Sequence, residues 1–226
     1  MNINYENNNV LHISGTITEP LTFSHNVLGE GFYESKIQTK RLSGEYDILP
    51  ITISERLAAN LSVGDNVSIV GQFRSYNKQD SDKNRLMLTI FVREIEQGER
   101  FEPQNCINLV GYICKEPIYR TTPFGREIAD ILLAVNRAYN KSDYIPCIAW
   151  GRNARFVSDL QVGEKIEIIG RAQSRNYQKK TENEIINKTA YEISISSIRI
   201  IQDEYSSQNI ISAHSFSNAS ANTIAQ

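Results

Sequence analysis

The sequence predicts an all-β chain made of two tandem copies of one small barrel, and three observations carry that prediction. A series of motifs recurs at a spacing of roughly 100 residues. Short runs of alternating or β-branched apolar residues dominate both copies. Each copy holds a single helix-like stretch. The repeat reads Gly15-Thr16-Ile17-Thr18-Glu19-Pro20 against Gly111-Tyr112-Ile113-Cys114-Lys115-Glu116-Pro117, then Tyr46-Asp47-Ile48-Leu49-Pro50-Ile51 against Ser142-Asp143-Tyr144-Ile145-Pro146-Cys147. Val63 to Gly71 and Val162 to Gly170 follow in the same order.

In the first copy, Val10 to Ile17, Asn66 to Phe73 and Leu86 to Val92 read as strands; in the second, Ile107 to Ile113, Glu127 to Val135, Tyr144 to Trp150, Lys165 to Ala172 and Ala190 to Ile201 do so. The helices are expected at Ser54 to Leu61 and Asn153 to Leu160. Ser54 and Asn153 suit the N-cap, and the spacings Leu57/Leu61 and Phe156/Leu160 suit one buried face. The order is thus three strands, a helix and two strands, which at this length is the oligonucleotide-binding (OB) fold, a five-stranded Greek-key barrel. Val63-Gly64 and Val162-Gly163 are expected to turn tightly into strand four, and Gly71 and Gly170 to sit where that strand bends to close the barrel. The expected division is a first OB-fold at 1–97, degenerate and acidic, a linker at 98–105, a second OB-fold at 106–202 and a disordered Ser/Asn/Ala-rich tail at 203–226.

Each unit of about 100 residues can bury its own core. No run of about 18 apolar residues suggests a membrane span, and the Asn-rich start lacks the basic and apolar regions of a signal peptide, so a cytoplasmic protein is expected. Cys106, Cys114 and Cys147 lack CxxC spacing, so buried apolar roles are expected rather than metal ligation. Net charge is −2, but residues 1–102 hold 10 Lys and Arg against 14 Asp and Glu, and residues 103–202 hold 14 against 10. A polyanion would be drawn to the second copy.

Nothing reads as catalytic. His12, His25 and His214 have no accompanying nucleophile or carboxylate cluster, no GxxxxGK[ST] motif occurs, and neither enzymatic activity nor a cofactor is expected. Aromatic residues interleaved with cations are more informative: Tyr139, Tyr144, Trp150 and Tyr177 fall on or beside strands two to four of the second copy, with Arg137, Arg152, Arg155, Arg171, Arg175, Lys179 and Lys180. Unstacked bases offer π-faces and phosphates need cations, so this mixture suits a single strand. Along Tyr144 to Trp150 the alternation puts Ile145, Cys147 and Ala149 inside the barrel and Tyr144, Pro146, Ile148 and Trp150 on the ligand face. In the first copy Tyr33, Tyr46, Phe73 and Tyr76 with Arg41, Arg74 and Lys78 are weaker candidates, Phe73 reading equally as core and Tyr46 as a strand-edge residue.

Ala134-Val135-Asn136-Arg137, Tyr144 to Gly151, Ala154-Arg155-Phe156-Val157, Gly163 and Ile169 to Tyr177 together resemble the bacterial single-stranded DNA-binding protein family over nearly all of the second copy. The resemblance implies base stacking at Tyr139, Tyr144, Trp150 and Tyr177, and, because the family works with four barrels, a homodimer. It also implies non-specific binding of single-stranded DNA in replication, recombination or repair, with replication and repair proteins as partners. The chain departs from the family in having two barrels and in ending Asn222-Thr223-Ile224-Ala225-Gln226 rather than in an acidic tail with a Pro-Phe hook; in the first copy Ile48 and Ser54 stand where Tyr144 and Trp150 do. Three alternatives stay open: a primosomal or plasmid accessory protein, an interaction module with a decayed nucleic-acid face, and an RNA-binding protein, since the same platforms stack RNA bases.

Overall fold

The computed structural model of the chain describes residues 7–80, 83–180 and 185–202. The expected tail, Asp203 to Gln226, lies outside them. The elements run β1 (Asn9–Ile17), β2 (Thr22–Val27), β3 (Glu30–Lys40), β4 (Tyr46–Ser54), α1 (Glu55–Ala58), β5 (Asn66–Asp80) and β6 (Lys83–Gly98), then β7 (Asn105–Ile113), β8 (Ile118–Thr121), β9 (Glu127–Arg137), β10 (Lys141–Trp150), α2 (Arg152–Ser158), β11 (Lys165–Lys180) and β12 (Ile185–Ile200). No described helix is long and apolar enough to cross a membrane.

Both copies close as OB-fold barrels. In the first, β1 pairs antiparallel with β3 and β5, β3 with β4 and β5 with β6, while β4 and β6 run parallel. The second repeats this ring with β7, β9, β10, β12 and β11. Closure brings backbones together at Gly15 and Gly111, where a Cβ would lie 2.1 Å from the Gln38 carbonyl oxygen and 2.5 Å from that of Ala134. Gly71 and Gly170 lie at register shifts in β5 and β11, where the strand bends as expected, and a Cβ would again meet backbone oxygens, of Phe91 and Ser194. The turns at Gly64 and Gly163 have φ near +95° and donate their N–H groups to Ile17 and Ile113.

The expected element order needs one correction: each copy has an extra strand before its helix, β2 and β8, paired on β3 and β9. Both strands are exposed along nearly their whole length, so no buried face imposes the alternation by which strands are read from sequence. The helices are also shorter than expected. Ser54 is the N-cap of α1 but makes no side-chain cap bond. Gly151, not Asn153, caps α2; Asn153 lies inside the helix and donates its Nδ2 to the Ser196 carbonyl. The buried face of α2 is Ala154 and Val157 with Leu160 beyond it, while Phe156 points outward. Of the cysteines only Cys147 is buried, Cys106 being exposed and Cys114 intermediate, because Cys106 lies opposite His12 on the outward side of the β1–β7 pair.

The two barrels share one twelve-stranded sheet, joined where β1 pairs antiparallel with β7. Leu11 is there the register partner of Ile107, both fully buried, so the two interiors form one apolar core. The connecting segment is strapped to β1, with the Ser14 hydroxyl donating to the Glu102 carbonyl and accepting from the Gln104 N–H. Asn9 and Asn105 repeat one device: each side-chain amide exchanges two hydrogen bonds with a backbone position on the neighbouring strand, Phe73 and Ala172 respectively.

Candidate nucleic-acid interface

Strand alternation sets the outer face of β10 as expected. Ile145, Cys147 and Ala149 are at most 2% exposed, whereas Tyr144 and Trp150 are 45% and 40% exposed. Ile148 departs from the expectation and is buried. Tyr177, on β11, is also 40% exposed, with the Arg175 guanidinium 5.8 Å from its ring centroid. Tyr139 is almost fully exposed in the β9–β10 turn, where it and Asn140 adopt left-handed backbone. Four unburied rings therefore lie on or beside β9, β10 and β11.

The cations are more committed than their sequence positions suggest. Arg137 pairs with Asp143 at 3.3 Å, Arg155 with Glu127 at 2.9 Å, and Arg175 with Glu192 at 3.4 Å. Arg171 reaches Asp47, in the other barrel, at 3.2 Å, and burial pulls its guanidinium below the ordinary value while Asp47 opposes that shift. Arg152, at the start of α2, is exposed and has no ion pair among the described residues. The side chains of Lys179 and Lys180, at the end of β11, lie outside the described residues.

A reciprocal lock between the barrels was not read from the sequence. Asp47 accepts from the Ser174 N–H at 2.7 Å, and Asp143 accepts from the Ser75 N–H at 2.7 Å. The two serine hydroxyls in turn accept the N–H groups of Ile48 and Tyr144. Both aspartates are fully buried. Asp47 also receives two hydrogen bonds from Arg41, and this contact holds the Arg41 guanidinium above its usual range. Burial pushes the Asp143 carboxyl up, against the Ser75 N–H, Arg137 and Arg74. The lock orients β10 where Tyr144 begins its exposed face, so the first barrel helps position a ring of the second. The echoed Tyr46-Asp47 and Ser142-Asp143 marked these positions, but their serine partners lie more than 60 and more than 120 residues away.

In the first barrel Phe73 is fully buried, as core, and Tyr33 packs against the core. Tyr46 and Tyr76 are exposed, as is Lys78. Arg41 is held by Asp47, and Arg74 stacks on Phe91, a ring that sequence reasoning did not single out.

Residues 104–201 match the model of the single-strand binding protein family. That match covers the second barrel and leaves the first outside it. Single-stranded DNA-binding protein 1 of Staphylococcus aureus (strain COL) is 33% identical over 112 residues, 46% of this chain and 65% of that protein. Single-stranded DNA-binding protein A of Bacillus subtilis (strain 168) is 38% identical over 81 residues, 33% of this chain and 47% of that protein. The chain thus spans about half to two thirds of the length of these curated relatives. The solved structure of the wild-type single-stranded DNA binding protein from Thermus aquaticus aligns over 86% of this chain and 93% of its own, with a TM-score of 0.66 at 18% identity; a deletion mutant of the same protein gives 0.68 at 17%. At such identity the likeness shows the fold, and it extends over both barrels.

Proposed function

We propose that the chain binds single-stranded DNA with little sequence preference and shields it during replication, recombination or repair, with the second barrel carrying the bases. The observation that carries this reading is the set of exposed rings, Tyr139, Tyr144, Trp150 and Tyr177, around one barrel's outer strands. A solvent-facing Trp and three Tyr on a rigid sheet add little to folding, whereas each base stacked on such a ring contributes about 1–3 kcal/mol. The family match over the same residues and the excess of cations in this half support it. Two chains would supply the four barrels with which the family works.

The test is the affinity of wild type and of a double variant, Trp150→Ala with Tyr177→Ala, for oligo-dT, for oligo-U and for a duplex of equal length. Loss of two stacking rings is expected to weaken oligo-dT binding about 100-fold, with duplex bound poorly by both proteins. Equal affinity for duplex, or an undiminished affinity in the double variant, would contradict the reading; a preference for oligo-U would assign the platform to RNA.

A further inference from the structure

A second cluster lies in the first barrel, on the outer face of β4, β5 and β6. The Arg74 guanidinium sits 3.8 Å from the Phe91 ring centroid, and Arg93 lies 5.8 Å from the same ring. Phe91 is tilted against Phe32, with centroids 5.7 Å apart, and Phe32 stacks on His25 at 5.2 Å. Phe91 and His25 border a cavity of about 370 Å³ that is also lined by Glu34, by Thr52 and Thr89, whose hydroxyls bond each other, and by Arg137, which comes from the other barrel.

Charge in this cavity is out of balance. Burial pushes the Arg74 guanidinium down to about 10, and Arg137 and Arg93 press it further while Asp143 opposes them. Among the described residues Arg74 has no carboxylate at ion-pair distance; its Nε and an Nη donate to the neutral Gln72 side chain. Asp143, paired with Arg137, is already turned to the Ser75 N–H. Glu34 also lines the cavity, held by the Ser24 hydroxyl and 3.5 Å from the Tyr76 hydroxyl. At the matching place in the second barrel the arrangement is neutralised, because the position of Arg74 is taken by Gln173 and that of Thr89 by Glu192, which bond each other at 2.7 Å. Arg74, half-buried, facing the cavity beside Arg137 and without a carboxylate at ion-pair distance among the described residues, suits a phosphate ester.

We propose that the cavity holds a backbone phosphate of the bound strand between Arg74 and Arg137, and so carries the strand from the second barrel onto the first. This rests on the single-strand reading above. Arg137 ends β9, two residues before Tyr139, so one strand end supplies both a wall of this cavity and a candidate stacking ring.

Oligo-dT of about 30 nucleotides, long enough for two OB-fold sites, is titrated against wild type, Arg74→Gln and Arg74→Lys, with Trp150 fluorescence and anisotropy read together and thermal unfolding confirming that each variant is folded. Arg74→Gln is expected to bind about tenfold more weakly and to flatten the dependence of log K on log salt by about 0.7, one phosphate, while Trp150 is still quenched at saturation. Arg74→Lys, which keeps the charge and the stem, is expected to restore the salt slope. If wild type quenches Trp150 and Arg74→Gln matches it in affinity and slope, the cavity proposal is overturned and the single-strand reading stands. If wild type shows neither quenching nor binding, that reading falls and takes the proposal with it. Inorganic phosphate and dTMP are titrated calorimetrically against wild type alone: micromolar binding of either, lost in Arg74→Gln, would assign the cavity to a free phosphate ester and overturn the strand path.

Discussion

The two barrels agree where they hold each other and differ where they face outward. Asp47 and Asp143, Ser75 and Ser174, Asn9 and Asn105, and the glycines at both closures occupy matching positions with matching contacts. Along the last three barrel strands the same comparison breaks down: on the third, Ile48 and Ser54 stand where Tyr144 and Trp150 do, and on the fourth and fifth, Arg74 with Thr89 stands where Gln173 with Glu192 does. The junction asks the same geometry of both copies, because each contact has a reciprocal twin. The outer face carries no such demand, and there the second barrel presents rings while the first presents Arg74 with no carboxylate at ion-pair distance among the described residues.

The largest effects are expected at the junction. Asp143→Ala removes the acceptor of a buried N–H and the partner of Arg137 and should cost about 3 kcal/mol in denaturant unfolding. Asp47→Ala strips Arg41, Arg171 and the Ser174 N–H together and should cost more than its twin; equal losses would mean that the lock is symmetric in energy as well as in form. A smaller effect would sharpen the outer-face comparison. Ile48→Tyr places a ring at a 43% exposed position matching Tyr144 and should tighten long oligo-dT by about 1 kcal/mol, read by anisotropy, with unfolding unchanged.

The smallest effect concerns Glu167, which accepts from Asn108 and pairs with Arg199. Those bonds hold its carboxyl below the usual 4.5. A depressed carboxylate value contributes stability that is present above pH 4.5 and is lost as pH falls through its folded value. Because Arg199 is largely exposed, Glu167→Gln should cost only about 0.5 kcal/mol at neutral pH, and the gap to wild type should close in acid.

The barrels and the exposure of the candidate rings were legible because periodicity reports burial. The alternation along Tyr144 to Trp150 named the inner and outer residues from sequence, failing at Ile148, because strand period sets which face a side chain takes and not what packs over that face. Strands β2 and β8 were not legible, since an exposed hairpin imposes no alternation. The basic residues were legible as a surplus but not as individuals: Arg171 looked free for phosphate until the fold brought Asp47 to it from 124 residues away. Phe91 was overlooked because a single ring in a strand of mixed apolar residues reads as core, and only the stacked Arg74 shows that it faces outward.

The central claim, that the second barrel stacks bases while the first extends the path, is tested most directly by Trp150, the only tryptophan in the chain. Its fluorescence is followed while the full chain is titrated with oligo-dT and with a duplex of equal length, each at low and moderate salt. Oligo-dT is expected to quench it strongly, less so at moderate salt, and duplex to change it little. Unchanged fluorescence with oligo-dT at low salt, or equal quenching by duplex, would contradict the claim.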